Sequence, residues 1–162
     1  MVRLEEINYK NVWKIAKLKV KDSQGDFVAS NTQSLIEAYL TLKDNNGKVF
    51  TFGIFSDDNP IGFLMIGYDV IDPDEDNIPK VSYKNYLIWR FMIDEKYQNQ
   101  GFGKEALKLA IDFIKTFPCG ISKYCYLSYE PDNLVAKKLY NEFGFIENGE
   151  YDGDEVVAVL KL

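Results

Sequence analysis

The stretch Tyr86-Leu87-Ile88-Trp89-Arg90-Phe91-Met92-Ile93, with the loop 94–100 and the segment 103–117 behind it, constrains the fold of this chain more than any other feature. Tyr86–Ile93 is largely apolar on both faces, the pattern of a central strand covered on each side. In the segment 103–117, Ala106, Leu107, Ala110, Phe113, Ile114 and Phe117 fall on one stripe. Lys104, Glu105, Lys108, Asp112 and Lys115 fall outside it, so the spacing predicts a helix that packs one face against the sheet. A doubly covered strand running straight into an amphipathic helix is the core unit of an α/β domain.

The rest of the chain extends that unit. Residues 2–7 read as a strand, and 11–20 as a helix with Val12, Trp13, Ala16 and Val20 near helical spacing. A turn cluster at 22–26 leads to a helix over 32–42, capped by Asn31 or Thr32. Strands over 50–55 and 60–70 are joined at Asp57-Asp58-Asn59-Pro60, and a polar, acidic connection covers 72–80. A strand over 124–128 and a helix over 132–143, stopped by Gly144, precede a hairpin of 145–148 with 155–162 around Asp152-Gly153. The order β-α-α-β-β-β-α-β-α-β-β specifies a mixed α/β sheet. No repeat, low-complexity tract or Pro/Gly/Ser-rich linker divides residues 1–162, so one domain is expected.

Composition removes several function classes. The net charge of −6 and pI of about 4.8 argue against a nucleic-acid binder, which needs a basic face. The chain has two cysteines, Cys119 and Cys125, and no histidine. That excludes an ordinary zinc site, and no metal is expected. It also removes Ser-His and Cys-His nucleophile pairs. Two cysteines make no disulfide framework, so a reducing cytoplasm is the expected location. No apolar run approaches the roughly 20 residues of a membrane span, and charges interrupt any signal-peptide core at the start.

The chemistry points to the junction after Ile93. A glycine-bearing turn that opens a helix presents successive backbone N–H groups and the positive helix end to anionic oxygens. Gly101 and Gly103 lack a Cβ, which lets a pyrophosphate approach the backbone. Lys104 places a positive charge in the first helical turn, where the helix dipole disfavours it and a phosphate would relieve it. The third glycine of a dinucleotide fingerprint and the Gly-Lys-Ser/Thr ending of a Walker loop are both missing. Further on, Asn133, Ala136 and Tyr140 lie three and four residues apart on one helical face. Taken alone, Tyr140 would be an amphipathic aromatic filling a helix–sheet interface.

Together the two segments resemble the GNAT superfamily of N-acetyltransferases. The family's Gln/Arg-x-x-Gly-x-Gly/Ala loop is matched by Gln98-Asn99-Gln100-Gly101-Phe102-Gly103. Its Asn-x-x-Ala-x-x-x-Tyr-x-x-x-Gly-Phe segment is matched by Asn133, Ala136, Tyr140, Gly144 and Phe145. The resemblance implies a mostly antiparallel central sheet flanked by helices, with acetyl-CoA as the cofactor. It implies that Gln98, Asn99, Gln100, Gly101, Phe102, Gly103 and Lys104 hold the pyrophosphate, and that Phe91, Met92 and Ile93 hydrogen-bond the pantetheine arm like an added strand. The strands 86–93 and 124–128 would splay to admit that arm. Asn133 and Ala136 would contact the cofactor, and Tyr140 would be the general acid. Homodimers are common in this superfamily, but no interface stripe is evident in the sequence.

For the acceptor, Phe27-Val28-Ala29-Ser30-Asn31-Thr32-Gln33-Ser34-Leu35-Ile36-Glu37-Ala38-Tyr39 is similar to the corresponding segment of bacterial diamine (spermidine/spermine) acetyltransferases. Acidic residues gather at Glu147, Glu150, Asp152, Asp154 and Glu155, and at Asp69, Asp72, Asp74, Glu75 and Asp76. Carboxylates at a pocket mouth would attract a polycation, although a solvated acidic surface has the same composition. Phe27, Glu37, Trp89, Arg90 and Glu150 are the candidate substrate residues. The central strand carries Trp89 and Arg90 where some relatives carry a carboxylate, so the general base is not named by the sequence. The expected function is direct transfer of acetyl from acetyl-CoA to a primary amine, a polyamine being one candidate. An amino acid, an aminoglycoside, a protein N-terminus, or a non-catalytic acetyl-CoA-binding role are the alternatives.

Overall fold

A computed structural model describes residues 1–72 and 77–162. Its elements run β1 (Val2–Glu6), α1 (Val12–Ile15), α2 (Asn31–Lys43), β2 (Lys48–Ser56), β3 (Asn59–Tyr68), β4 (Tyr86–Ile93), α3 (Phe102–Ile114), β5 (Tyr124–Tyr129), α4 (Leu134–Glu142), β6 (Ile146–Asp152) and β7 (Glu155–Lys161). The strands form one sheet in the order β1-β2-β3-β4-β5-β7-β6. Every neighbouring pair is antiparallel except β4 and β5, which α3 connects as a parallel crossover. The mixed, mostly antiparallel sheet expected from the sequence is therefore present.

Side-chain alternation gives the sheet two covered faces. Along β3, Leu64 and Ile66 join the cluster formed with Ala106, Leu107, Ala110 and Ile114 of α3. Phe63 and Met65 join the opposite cluster, with Ile15, Ala38 and Met92. All of these side chains are buried, each worth roughly 1.5–3 kcal/mol for the large apolar ones. Coverage on both faces holds β4 in the middle of the molecule, where its end can be positioned precisely enough to serve a site.

Three local expectations are corrected. The helix read over 11–20 is a single turn, α1. The buried Asn31 side chain donates to the Ile15 carbonyl at 2.9 Å, a bond that competes with continuation of the helix. Lys19 N–H goes to Asp94 Oδ2 at 3.1 Å, tying the segment to the end of β4. The cap of α2 is Ser30, whose side chain accepts from Gln33 N–H, because Asn31 is turned inward. Residues 22–26, read as a turn cluster, lie in a short 3-10 helix, Asp22–Phe27. The acidic residues Asp74, Glu75 and Asp76 lie outside the described residues.

Candidate active site

The parallel pair that α3 creates is short. β4 and β5 are bridged only at Tyr86↔Cys125 and Leu87↔Tyr126. Past that point β4 runs on to Ile93, while β5 stays with β7 along its full length, from Tyr124↔Lys161 to Tyr129↔Val156. The divergence is helped by a bulge in β4: Ile66 faces Ile88 and Met65 faces Arg90, which leaves Trp89 as the additional residue. A bulge bends its strand and increases the local twist. Between the diverging strands lies a cleft of about 1080 Å³. Phe91, Met92 and Ile93 line it, and past Leu87 β4 has no strand partner on that side among the described residues.

The loop after β4 is set by its own side chains. Asp94, 5% exposed, accepts from Lys96 N–H and Lys19 N–H, fixing the start of the turn at residues 95–97. Gln98 Nε2 donates to the Ile93 carbonyl at 3.0 Å and to Gln24 Oε1 at 2.8 Å. Asn99 (φ 61°) and Gly101 (φ 88°) both take the left-handed conformation, which swings the chain into α3. Every backbone N–H from 98 to 103 lacks an acceptor among the described residues. Unpaired donors at a helix start form an anion-binding concavity.

The motif residues divide within this loop. Gln98, Asn99 and Gly103 line the cleft. A Cβ on Gly103 would meet nothing closer than Ile93 and Leu139 at 3.9 Å, so protein packing does not require the glycine. Gln100, Gly101, Phe102 and Lys104 are not among the lining residues. Gln100 Nε2 bonds the Lys96 carbonyl, and Phe102 packs on Tyr97. Lys104 Nζ is 2.6 Å from Glu142 Oε2 on α4, so the cation read as a phosphate partner already has a carboxylate.

α4 supplies the next wall. Asn133 Oδ1 accepts from Ala136 N–H at 3.2 Å and caps the helix, a local reason for the Asn-x-x-Ala spacing. Asn133, Ala136 and Tyr140 all line the cleft. Tyr140 is 8% exposed, its ring held between Tyr129 (centroids 5.7 Å apart) and Phe145 (5.9 Å). Burial, then the Glu155 carboxylate, then Tyr129 push its phenol above the ordinary tyrosine value. It is a protonated group at neutral pH, able to donate.

The candidate substrate residues Phe27, Glu37, Trp89 and Arg90 line the same cleft. Glu37 Oε2 and Arg90 Nη2 are 2.9 Å apart, and Arg90 Nη1 donates to the Trp89 carbonyl. Glu150 does not line the cleft. Its carboxylate accepts from Lys80 N–H and from Asn148 Nδ2, which commits it to holding β6 against residue 80. Asp152 and Glu155 are the cleft-lining members of that acidic cluster. Glu155 Oε2 accepts from Ser128 Oγ at 2.5 Å. Burial and the Asp152 and Glu130 carboxylates raise the Glu155 pKa, with the Ser128 hydrogen bond and Arg90 opposing them. The sequence placed these two with Glu150 in one acidic cluster that suits either a pocket mouth or a solvated surface; the β5–β7 register separates them from Glu150. Neither cysteine lines the cleft, and Cys125 is fully buried with its thiol pushed far up. No thiol is placed to carry an acyl group.

Comparison with known proteins gives the same picture. The acetyltransferase (GNAT) family model matches residues 13–145. The chain is 39% identical over 142 residues to the spermine/spermidine N(1)-acetyltransferase of Bacillus subtilis (strain 168), a match over 83% of this chain and 87% of that one. It is 38% identical, with the same coverage, to a probable spermine N(1)-acetyltransferase of Bacillus subtilis subsp. natto. Among solved structures, aminoglycoside acetyltransferase AAC(6')-Ib with coenzyme A and kanamycin superposes with a TM-score of 0.74 at 17% identity, over 99% of this chain and 95% of that one. Spermidine N-acetyltransferase from Vibrio cholerae, with CoA and spermine, superposes with a TM-score of 0.67 at 17% identity, over 99% and 94%.

Proposed function

This chain belongs to the GNAT family of acetyltransferases, and from that premise we propose that it acetylates a primary amine of a polyamine such as spermidine or spermine. It is an acetyl-CoA-dependent N-acetyltransferase. The observation that carries the acceptor assignment is a single cleft lined by Tyr140 and the N–H-rich loop and also by Glu37, Asp152 and Glu155. Carboxylates in the acceptor part of a cleft favour a flexible polycation over a neutral or anionic amine. The 39% identity to a spermine/spermidine acetyltransferase over most of both chains supports the same acceptor.

The residues present fit acetyl-CoA. The unpaired N–H groups of 98–103 match an anionic pyrophosphate, and the open space over Gly103 lets it reach them. The unpaired side of β4 at Phe91, Met92 and Ile93 offers backbone groups to an extended amide-bearing arm. Asn133 and Ala136 close the cleft from α4. When bound, acetyl-CoA supplies an activated acyl carbonyl and a thiolate leaving group. Tyr140 donates a proton to that sulfur, and the amine attacks directly because no thiol of the chain is available to form an acyl-enzyme.

The test is release of free thiol from acetyl-CoA with spermidine, spermine, putrescine, amino acids and aminoglycosides as acceptors. Selective turnover of the polyamines is expected. Preference for an aminoglycoside or an amino acid would overturn the acceptor assignment.

A further inference from the structure

An alkyl ammonium with a pKa of about 10.4 is almost wholly protonated at pH 7, and removing its proton costs roughly 4.6 kcal/mol. Some group must take that proton, and β4 carries no carboxylate to do so: Trp89 and Arg90 stand at its cleft-facing bend. The base has to come from another wall.

Several carboxylates line the cleft, and their partners separate them. Glu37 is held by Arg90 at 2.9 Å and by Gln33 Nε2 at 2.9 Å, so a proton placed on it would break an ion pair. Among the described residues Asp152 makes only a long 3.4 Å side-chain contact with Ser128 Oγ. Glu155 is different. It starts β7, directly after the hairpin, opposite Asp152 of β6 and beside the Tyr129↔Val156 pair. That places it beyond the point where β5 leaves β4, at the open end of the splay. Ser128 Oγ donates to Oε2 at 2.5 Å, which fixes the carboxylate and leaves Oε1 without a protein donor among the described residues. Its charge is also felt at the Tyr140 phenol, the proton donor on the far side of the reaction.

Resting on the amine-acetylation reading above, we propose that Glu155 is the general base, taking the proton of the acceptor ammonium while Ser128 holds the carboxylate in place. The groups that face it are Ser128 of β5, Glu130 just after β5, Asp152 of β6, Arg90 of β4 and Tyr140 of α4. Half-burial and the two neighbouring carboxylates make it more basic than a free glutamate, while the Ser128 hydrogen bond and Arg90 oppose that shift.

The protons balance as follows. The ammonium gives one proton to Glu155, which later passes it to solvent. The neutral amine forms the new C–N bond to the acyl carbon, and the C–S bond breaks. Tyr140 gives its proton to the departing sulfur. The second proton lost by the nitrogen restores Tyr140, so the products are the amide, the free thiol and one solvent proton.

Glu155→Gln is the test, with coenzyme A affinity as the check that the variant is folded. With a base, kcat/KM for an alkyl amine is flat between the carboxylate and ammonium pKa values. Without one, only the neutral amine reacts, and kcat/KM climbs about tenfold per pH unit. The variant should therefore lose about 100-fold or more at pH 7 and gain this slope. A β,β,β-trifluorinated amine, already deprotonated at pH 7, should lose far less. Equal losses on both amines, or a flat profile in the variant, would overturn the assignment. Wild-type rates in Glu155→Gln would overturn it too, while leaving the polyamine reading intact. Preference of the wild type for another amine would overturn the acceptor and still leave Glu155 supported by the slope.

Discussion

Arg90 Nη2 and Glu37 Oε2 stand 2.9 Å apart in the wall of the cleft, and the buried Nε of the same guanidinium has no acceptor among the described residues. Both side chains are about a quarter exposed, so the pair is shielded more than a surface ion pair. An incoming ammonium must share Glu37 with Arg90. Glu37→Gln therefore leaves an uncompensated cation where a polycation has to bind. The KM for spermidine should rise by about tenfold or more, with a smaller change in kcat. Stability should fall by roughly 1.5–3 kcal/mol, read from denaturant midpoints. An unchanged KM would show that Glu37 only props up Arg90.

Gly101 and Gly103 make opposite predictions although they are two residues apart. Gly101 sits at φ 88° with nothing within 4 Å of an added Cβ, so its demand is conformational. Gly101→Ala should cost about 1–2 kcal/mol of stability. Gly103 is helical and its Cβ would touch only Ile93 and Leu139 at ordinary distance. Gly103→Ala should hold or raise the melting temperature, since alanine is the better helix former by about 1 kcal/mol. Gly103→Val should weaken coenzyme A binding by at least about tenfold if a pyrophosphate occupies that space. Calorimetric titration beside thermal melting separates the two effects; normal affinity in Gly103→Val would remove the loop assignment.

Tyr140→Phe keeps the ring contacts with Tyr129 and Phe145 and removes only the hydroxyl. Coenzyme A affinity should be nearly unchanged and kcat should drop by about 100-fold. Because the folded phenol has its pKa raised, it stays protonated well above neutrality and contributes no descending limb to kcat below about pH 10. Its contribution to stability is fully present below the unfolded value and is lost as pH rises through the folded one. A kcat equal to wild type would take Tyr140 out of the chemistry.

The parts of this design that depend on local order were legible in the sequence. The α3 stripe and the doubly covered β4 follow from spacing, the two motif segments from resemblance, and the expected order of elements along the chain holds. What spacing missed depends on partners far along the chain. The segment after Ile15 leaves the helix because Asn31 and Asp94 occupy its backbone groups. Lys104 is turned to Glu142, which lies 38 positions on. Glu150 and Glu155 look alike as letters in an acidic hairpin. Only the pairing of β7 with β5 sets one against Ser128 in the cleft and the other against Lys80 outside it.

That distinction has a consequence for stability that activity measurements would not show. Glu155 is partly buried beside Asp152 and Glu130, and its folded pKa lies above the ordinary carboxylate value. A carboxyl with a raised folded pKa binds its proton more tightly in the folded state than in the unfolded one. Its stabilising contribution is thus complete below the unfolded value of about 4.3 and is lost as pH rises through the folded value. At pH 7, above the unfolded value, Glu155 is therefore a net burden on the fold, tolerated in the position where a base is proposed. Glu155→Gln keeps the shape and an acceptor for Ser128 but carries no charge. It should melt at a higher temperature than wild type at pH 7, and the gap should close as pH falls towards 4. Thermal melts of both proteins from pH 4 to 8 decide the matter. A variant less stable than wild type at neutral pH would mean that the charge holds the hairpin together through Ser128 and Arg90, and that Glu155 serves the fold before it serves the reaction.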